Sequence, residues 1–227
     1  RGLGDVYKRQ AKKQDNIIKS SRNIWHGTVS TDSSAQKLTV NEYMLRENSD
    51  FKGWITVPNT RVDNPIYQTA DNSFYLTHNQ KKQKSAYGSL FFDCENKITE
   101  EETDKNLVIY GHHMKNGAMF SDFCKYASED FYREHKTIRF DTLSGFGEYE
   151  IIAVFKTAAY SEQGFKYYHF TRADSAGDFN AYVSKCKELS FYDTGVSAEY
   201  GDKLITLSTC EYSRQNGRMV VVAKQVI

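Results

Sequence analysis

The chain has 227 residues, 39% of them hydrophobic and 14% aromatic, enough to bury one good core. Its 30 basic and 29 acidic residues leave a net charge of +1, which argues against nucleic acid or a strongly anionic surface as partner. No run approaches the roughly 18 apolar residues of a membrane span, and no signal-peptide core is visible; a mean hydropathy of −0.66 and 16 tyrosines point to a polar exterior with many amphipathic contacts.

In chain order, the polar stretch from Asp5 to Arg22 reads as a first helix. Ser33 or Ser34 is placed to cap a second one running to Asn48, with Leu38, Tyr43, Met44 and Leu45 available for packing. Strand-like runs follow at Trp54–Val57, Ile66–Thr69, Ser89–Asp93, Leu107–Tyr110, Thr137–Asp141, Glu148–Lys156, Leu204–Thr209 and Arg218–Ala223. Two helices interrupt them. Ser128-Glu129-Asp130 reads as an N-cap with acidic first-turn residues. Over Ser175–Tyr192, the residues Phe179, Tyr182, Val183, Cys186 and Leu189 form an amphipathic stripe that suits core packing. So many strands with short helices suit a mainly β fold, closed as a barrel, with peripheral α-helices. The natural division is a polar helical segment over residues 1–32 and one domain over 33–227.

The chemistry is concentrated at the strand ends. Cys210 closes the run Leu204-Ile205-Thr206-Leu207-Ser208-Thr209, and Arg218 opens the next strand. If the two pair as a hairpin over the Glu211–Gly217 loop, the thiol and the guanidinium sit opposite each other, about 4.5–5.5 Å apart at Cβ. A neighbouring cation favours the reactive thiolate. Alternation puts Thr206, Ser208 and Cys210 on one small polar face, the expected floor of a groove. His112 follows the buried run Leu107-Val108-Ile109-Tyr110 and its breaking Gly111, so it projects from another strand end, where a proton-handling partner is useful.

The other candidates read plainly. His113 is a neighbour that packs or hydrogen-bonds, and His26, His78, His135 and His169 lie in polar surface stretches. Cys94, Cys124 and Cys186 read as free thiols. No C-x-x-C spacing or Cys/His quartet occurs, so neither a structural metal nor a cofactor is expected.

Tyr110-Gly111-His112-His113-Met114, Thr206-Leu207-Ser208-Thr209-Cys210-Glu211-Tyr212 and Gly217-Arg218-Met219-Val220-Val221-Val222-Ala223-Lys224 resemble the three signature blocks of sortases, most closely class B. The likeness extends to Gly53-Trp54-Ile55-Thr56-Val57-Pro58 with Pro65-Ile66-Tyr67-Gln68, to Asp71-Asn72-Ser73-Phe74-Tyr75-Leu76 and to Gly88-Ser89-Leu90-Phe91-Phe92-Asp93, in order over residues 34–227. It implies a sortase-type barrel with N-terminal helices and a long helix between the sixth and seventh strands. Residues Arg1 to Gln10 do not resemble the family and are set apart from the fold. Members carry an N-terminal hydrophobic anchor, so the resemblance implies that the chain begins after it.

The resemblance also implies an activity. Cys210 would attack a Thr-Gly-type bond in the sorting signal of a secreted surface protein, His112 would protonate the leaving amine, and Arg218, with backbone N–H groups near Glu211, would hold the oxyanion. An amine of peptidoglycan or of its lipid-linked precursor would then take the acyl group, on the extracellular face of the cytoplasmic membrane of a Gram-positive bacterium. Asn72 and Leu76 match positions that line the sorting-signal groove, and Ser208 faces the same cleft by strand alternation. Tyr167 or Tyr168, in the wall from Ala158 to Phe170, would touch substrate, and Glu211 departs from the Asp of some relatives but keeps the carboxylate. Asn72 could equally be a turn former and Leu76 a core side chain. A hydrolytic cysteine peptidase, a pilin-polymerising sortase and a silent binding module are the alternative readings.

Overall fold

The structure is a computed structural model that describes residues 3–27, 39–159, 162, 164–209 and 216–227, with backbone alone at 210 and 211. The strands are β1 Phe51–Thr56, β2 Asp63–Tyr67, β3 Leu90–Phe92, β4 Asn106–Gly111, β5 Thr137–Thr142, β6 Gly145–Ala158, β7 Leu204–Glu211 and β8 Gly217–Gln225. They close a barrel in the order β1-β2-β3-β4-β7-β8-β6-β5. The β2–β3 and β4–β7 junctions are parallel and the others antiparallel. The expected closed, mainly β architecture is what the chain adopts.

Side-chain alternation sorts the core into an inside and an outside. Ile55, Ile66, Phe92, Ile109, Leu207 and Val221 fill the barrel and are almost completely buried. Their neighbours Leu204, Val220 and Val222 point outward, under the helix α4, Ala176–Leu189. That helix lies between β6 and β7 and lays Phe179, Tyr182, Val183 and Cys186 on the barrel, as its stripe predicts. Each fully buried side chain of this size contributes about 1.5–3 kcal/mol, so the docking of α4 is secured by its apolar face. On the opposite flank Trp25 stacks on Trp54 at 4.9 Å and 4°, tying the N-terminal helix to β1.

The helical preface departs from expectation in two ways. Helix α1 runs Leu3–Trp25 without a break, although residues 4–10 are exposed and only the later part, with Gln14, Ile17 and Ile18, is buried. Helix α2 is Val40–Glu47; Ser33 and Ser34 lie outside the described residues. Its cap is Thr39, whose hydroxyl accepts from Glu42 N at 3.2 Å while Glu42 Oε2 accepts from Thr39 N at 2.7 Å. This reciprocal pair satisfies two N–H groups that the first turn would otherwise leave open. Ser128 caps α3, Glu129–Glu134, as expected.

β2 begins three residues earlier than its apolar run suggests, because Asp63, Asn64 and Pro65 pair with Thr56, Ile55 and Trp54 of β1. The ladder to β3 starts only at Ile66, so the missing N–H of Pro65 faces no second strand.

Candidate active site

The strand register brings the three chemistry-bearing positions to one rim. In the parallel β4–β7 ladder Gly111 lies beside Thr209, so residues 112 and 210 come next on neighbouring strands, which run about 4.8 Å apart. In the antiparallel β7–β8 ladder Cys210 is paired with Arg218, as the hairpin reading requires. The side chains of Cys210 and Glu211 and residues 212–215 lie outside the described residues.

His112 is half-buried and held from below. Its Nε2 lies 2.7 Å from the carbonyl oxygen of Leu76. A carbonyl only accepts, so Nε2 carries a proton and the neutral ring is basic at Nδ1. The backbone is fixed too, because Phe120 N donates to His112 O at 2.9 Å. Gly111 has to be small here: a Cβ would sit 2.5 Å from Leu90 Cδ2 and 2.7 Å from the Phe120 ring. Arg218 is half-buried and its Nη1 donates to Gly217 O at 2.9 Å.

These residues open on a cleft of about 540 Å³ that Asn72, Leu76, Tyr167, Tyr168 and Ser208 also line. Asn72 is exposed, yet its amide is used internally: Nδ2 donates to Asp93 Oδ2 at 3.2 Å and Oδ1 accepts from Cys94 N at 2.8 Å. Leu76 presents a side chain to solvent, 41% exposed, while its carbonyl serves His112. The core role considered for Leu76 is therefore not the one it has. Tyr167 is 1% exposed and its hydroxyl lies 2.6 Å from Ser208 Oγ, so it forms wall structure behind Tyr168, whose ring stands edge-on to it at 5.3 Å.

The polar face of β7 is only partly a groove floor. Ser208 lines the cleft, but Thr206 is fully buried beneath α4, with its Oγ1 2.6 Å from the Tyr182 hydroxyl and 2.9 Å from Asn106 Oδ1. Alternation correctly groups the two residues; the helix that lands on Thr206 decides which of them a ligand can reach. Thr209 also borders the cleft and is 2% exposed, with no hydrogen-bond partner for its hydroxyl among the described residues.

The remaining histidines and cysteines fall mostly where the sequence puts them. His113 Nδ1 lies 3.5 Å from Cys124 Sγ, and exposed His26 meets Asp63 at 3.0 Å. His78 and His135 are half-buried instead of fully exposed, because they stack on Phe74 at 4.1 Å and on Phe131 at 4.0 Å. His169 is exposed but stands on the cleft wall. Cys94, Cys124 and Cys186 are free cysteines, and burial pushes the Cys186 thiol up to about 12. Among the described residues no group of His, Cys, Asp or Glu is placed to hold a metal ion. Asp93, Asn96 and Asn106, which brace the cleft, carry no signal in the sequence beyond their polarity.

Comparison with known proteins agrees with this geometry. A family model described as the sortase domain matches residues 55–226. Sortase B of Listeria monocytogenes is 41% identical over 181 residues, covering 79% of this chain and 71% of that protein. Sortase B of Staphylococcus aureus is 30% identical over 185 residues, covering 81% and 73%. Among solved structures, a Staphylococcus aureus sortase B–substrate complex superposes with a TM-score of 0.83 at 26% identity, over 96% of this chain and 98% of that one.

Proposed function

The chain belongs to the sortase family of cysteine transpeptidases, class B, and from that premise we propose that Cys210, His112 and Arg218 carry out the acyl transfer. The Cys210 thiolate adds to the carbonyl carbon of a Thr-Gly-type bond in a sorting signal, and the negative charge that develops on the oxygen is met by the Arg218 guanidinium. Collapse of that adduct expels the glycine amine, which takes a proton from the imidazolium of His112 and leaves a thioester. Because Leu76 engages Nε2, the proton that moves is the one on Nδ1. An incoming amine attacks the thioester, the neutral ring accepts its proton, and the thiolate departs as the new amide forms.

The acceptor in this reading is an amine of peptidoglycan or its lipid-linked precursor, and the donors are surface proteins that end in a sorting signal. Work at the surface of Gram-positive cells follows from the family; we place the domain at the outer face of the cytoplasmic membrane. The observation that carries the reading is the strand register: Cys210 pairs with Arg218 across β7 and β8, and Gly111, the residue before His112, lies beside Thr209 in the β4–β7 ladder.

The experiment is to incubate the protein with a panel of sorting-signal peptides, with and without an added amine, and to read the products by mass. Amide products that appear only with the amine support transpeptidation; free acid in both arms identifies a hydrolase. Cys210→Ala is expected to remove all turnover with the fold intact. Arg218→Lys should be severely impaired, since a point ammonium does not reproduce the guanidinium fork. Retained turnover in Cys210→Ala refutes the assignment of the nucleophile.

A further inference from the structure

Both walls of the cleft are fastened to the same short turn. On one side, the turn after β3 holds the loop that carries Leu76. Asp93 Oδ2 accepts from Asn72 Nδ2 at 3.2 Å and from the Tyr110 hydroxyl at 2.7 Å, while Cys94 N donates to Asn72 Oδ1 at 2.8 Å. On the other side stands the wall of Tyr167, Tyr168, His169 and Thr171, which belongs to no sheet. Its own backbone bonds are those of a single turn, His169 N to Lys166 O at 3.1 Å and Phe170 N to Tyr167 O at 3.3 Å.

What holds this second wall is a pair of buried asparagines. Asn106, 0% exposed at the start of β4, donates from Nδ2 to the carbonyl of Phe170. Asn96, 5% exposed, donates from Nδ2 to the carbonyl of Thr171 at 3.2 Å and to that of Asn106 at 2.9 Å, and accepts from Val108 N at 2.8 Å. Consecutive carbonyls of the wall are thus gripped by amides rooted in β4 and in the turn. Asn106 Oδ1 in turn accepts from the Thr206 hydroxyl at 2.9 Å, so the Tyr182 hydroxyl, 2.6 Å away, is the donor to Thr206. The chain of bonds is directional, and it needs at position 106 a group that accepts on one atom and donates on the other.

We infer that the turn Asp93–Asn96, together with Asn106, positions the two walls and so sets the width of the cleft that grips the peptide. These are positioning residues: they reach substrate through Asn72 on one side and through residues 167–171 on the other, and they leave residues 112, 210 and 218 at the ends of their own strands. The inference rests on the reading that this cleft takes the sorting signal.

Asn106→Asp is the test. An ionised carboxylate accepts from Thr206 but has nothing to donate to Phe170, whereas a protonated carboxyl restores both bonds. The substrate is a quenched fluorescent peptide with a Thr-Gly bond that the unaltered protein cleaves; cleavage by that protein tests the function, and the ratio of variant to unaltered protein tests the positioning. At alkaline pH the variant should show KM raised about tenfold with kcat within about twofold. Alkylation of Cys210 by iodoacetamide should run at the unaltered rate, and the KM ratio should fall back towards one as the pH is lowered. Asn96→Ser, which leaves room for a water, should raise KM in the same way without the recovery at low pH, and it carries the test if Asn106→Asp does not fold. An unchanged KM, a loss confined to kcat, or a KM ratio independent of pH in Asn106→Asp overturns the inference.

Discussion

Gly88→Ala tests how closely the position of His112 depends on the loop beneath it. Gly88 has φ +58, a left-handed conformation that costs an L side chain about 1–2 kcal/mol. A methyl there also overlaps the Tyr75 carbonyl oxygen, lies 2.9 Å from the Leu76 carbonyl oxygen and 3.1 Å from His112 Cδ2. Relieving that crowding costs about another 1–3 kcal/mol, typical of overpacking, so the variant should be about 2–5 kcal/mol less stable. The Tyr75 carbonyl, the closer of the two, has to move, and the Leu76 carbonyl that orients the imidazole is the next residue's and is itself crowded. A shift of about 1 Å at a reacting group costs about a hundredfold in rate, so kcat should fall by that order while the protein remains folded at low temperature. Urea unfolding gives the first quantity and turnover of a sorting-signal peptide the second. Gly195→Ala is the control, since Gly195 has φ +71 with nothing within 4 Å of a new Cβ. It should lose only about 1–2 kcal/mol, the cost of the left-handed conformation, and no activity. Full kcat in folded Gly88→Ala refutes the view that the Leu76 carbonyl sets the ring.

Other outcomes follow from buried groups and from charge. Thr209→Val replaces a buried hydroxyl that has no partner among the described residues by an isosteric methyl, so the melting temperature should hold or rise; a clear fall would mean that the hydroxyl is satisfied. With iodoacetamide at about pH 8, the folded protein should leave Cys186 unmodified, since burial raises its thiol to about 12; rapid labelling there, read by peptide mass, contradicts the packing of α4. Asp71 accepts from the Ser73 hydroxyl and then from the N–H groups of Ser73 and Phe74, which hold its carboxyl below the ordinary 3.8. A folded pKa below the unfolded one stabilises above 3.8 and loses that contribution as the pH falls through the folded value. Asp71→Asn should therefore be less stable at neutral pH, and the gap should close in strong acid; a gap that persists there points to a cause other than charge.

What could be read from the sequence is what short-range periodicity controls. The β7–β8 pairing, including Cys210 opposite Arg218, follows from two strands joined by one loop, and the stripe of α4 follows from spacing within one helix. The true cap of α2 was also legible, since Thr39-Val40-Asn41-Glu42 has the capping-box spacing, although nearby serines compete for that reading. Periodicity does not say what lands on a face. Thr206 and Ser208 are equivalent as a pattern, and only the arrival of Tyr182 buries one of them. The asparagine clamp is harder still: Asn96, Asn106 and the carbonyls of residues 170 and 171 meet across separations of 64 and 75 residues, and in the sequence neither asparagine carries a signal beyond its polarity.

The parallel contact between β4 and β7 has a consequence for biosynthesis. Side-by-side strands pointing the same way cannot be joined by a tight turn, and here β5, β6 and α4 all lie in the intervening chain. On the proposed mechanism, residue 112 on the end of β4 therefore leaves the ribosome well before β7 and β8, which carry the proposed nucleophile and its arginine. Under that proposal, a nascent chain that stops short of β7 and β8 holds an imidazole with neither nucleophile nor oxyanion donor beside it, so premature peptide cutting during synthesis is precluded.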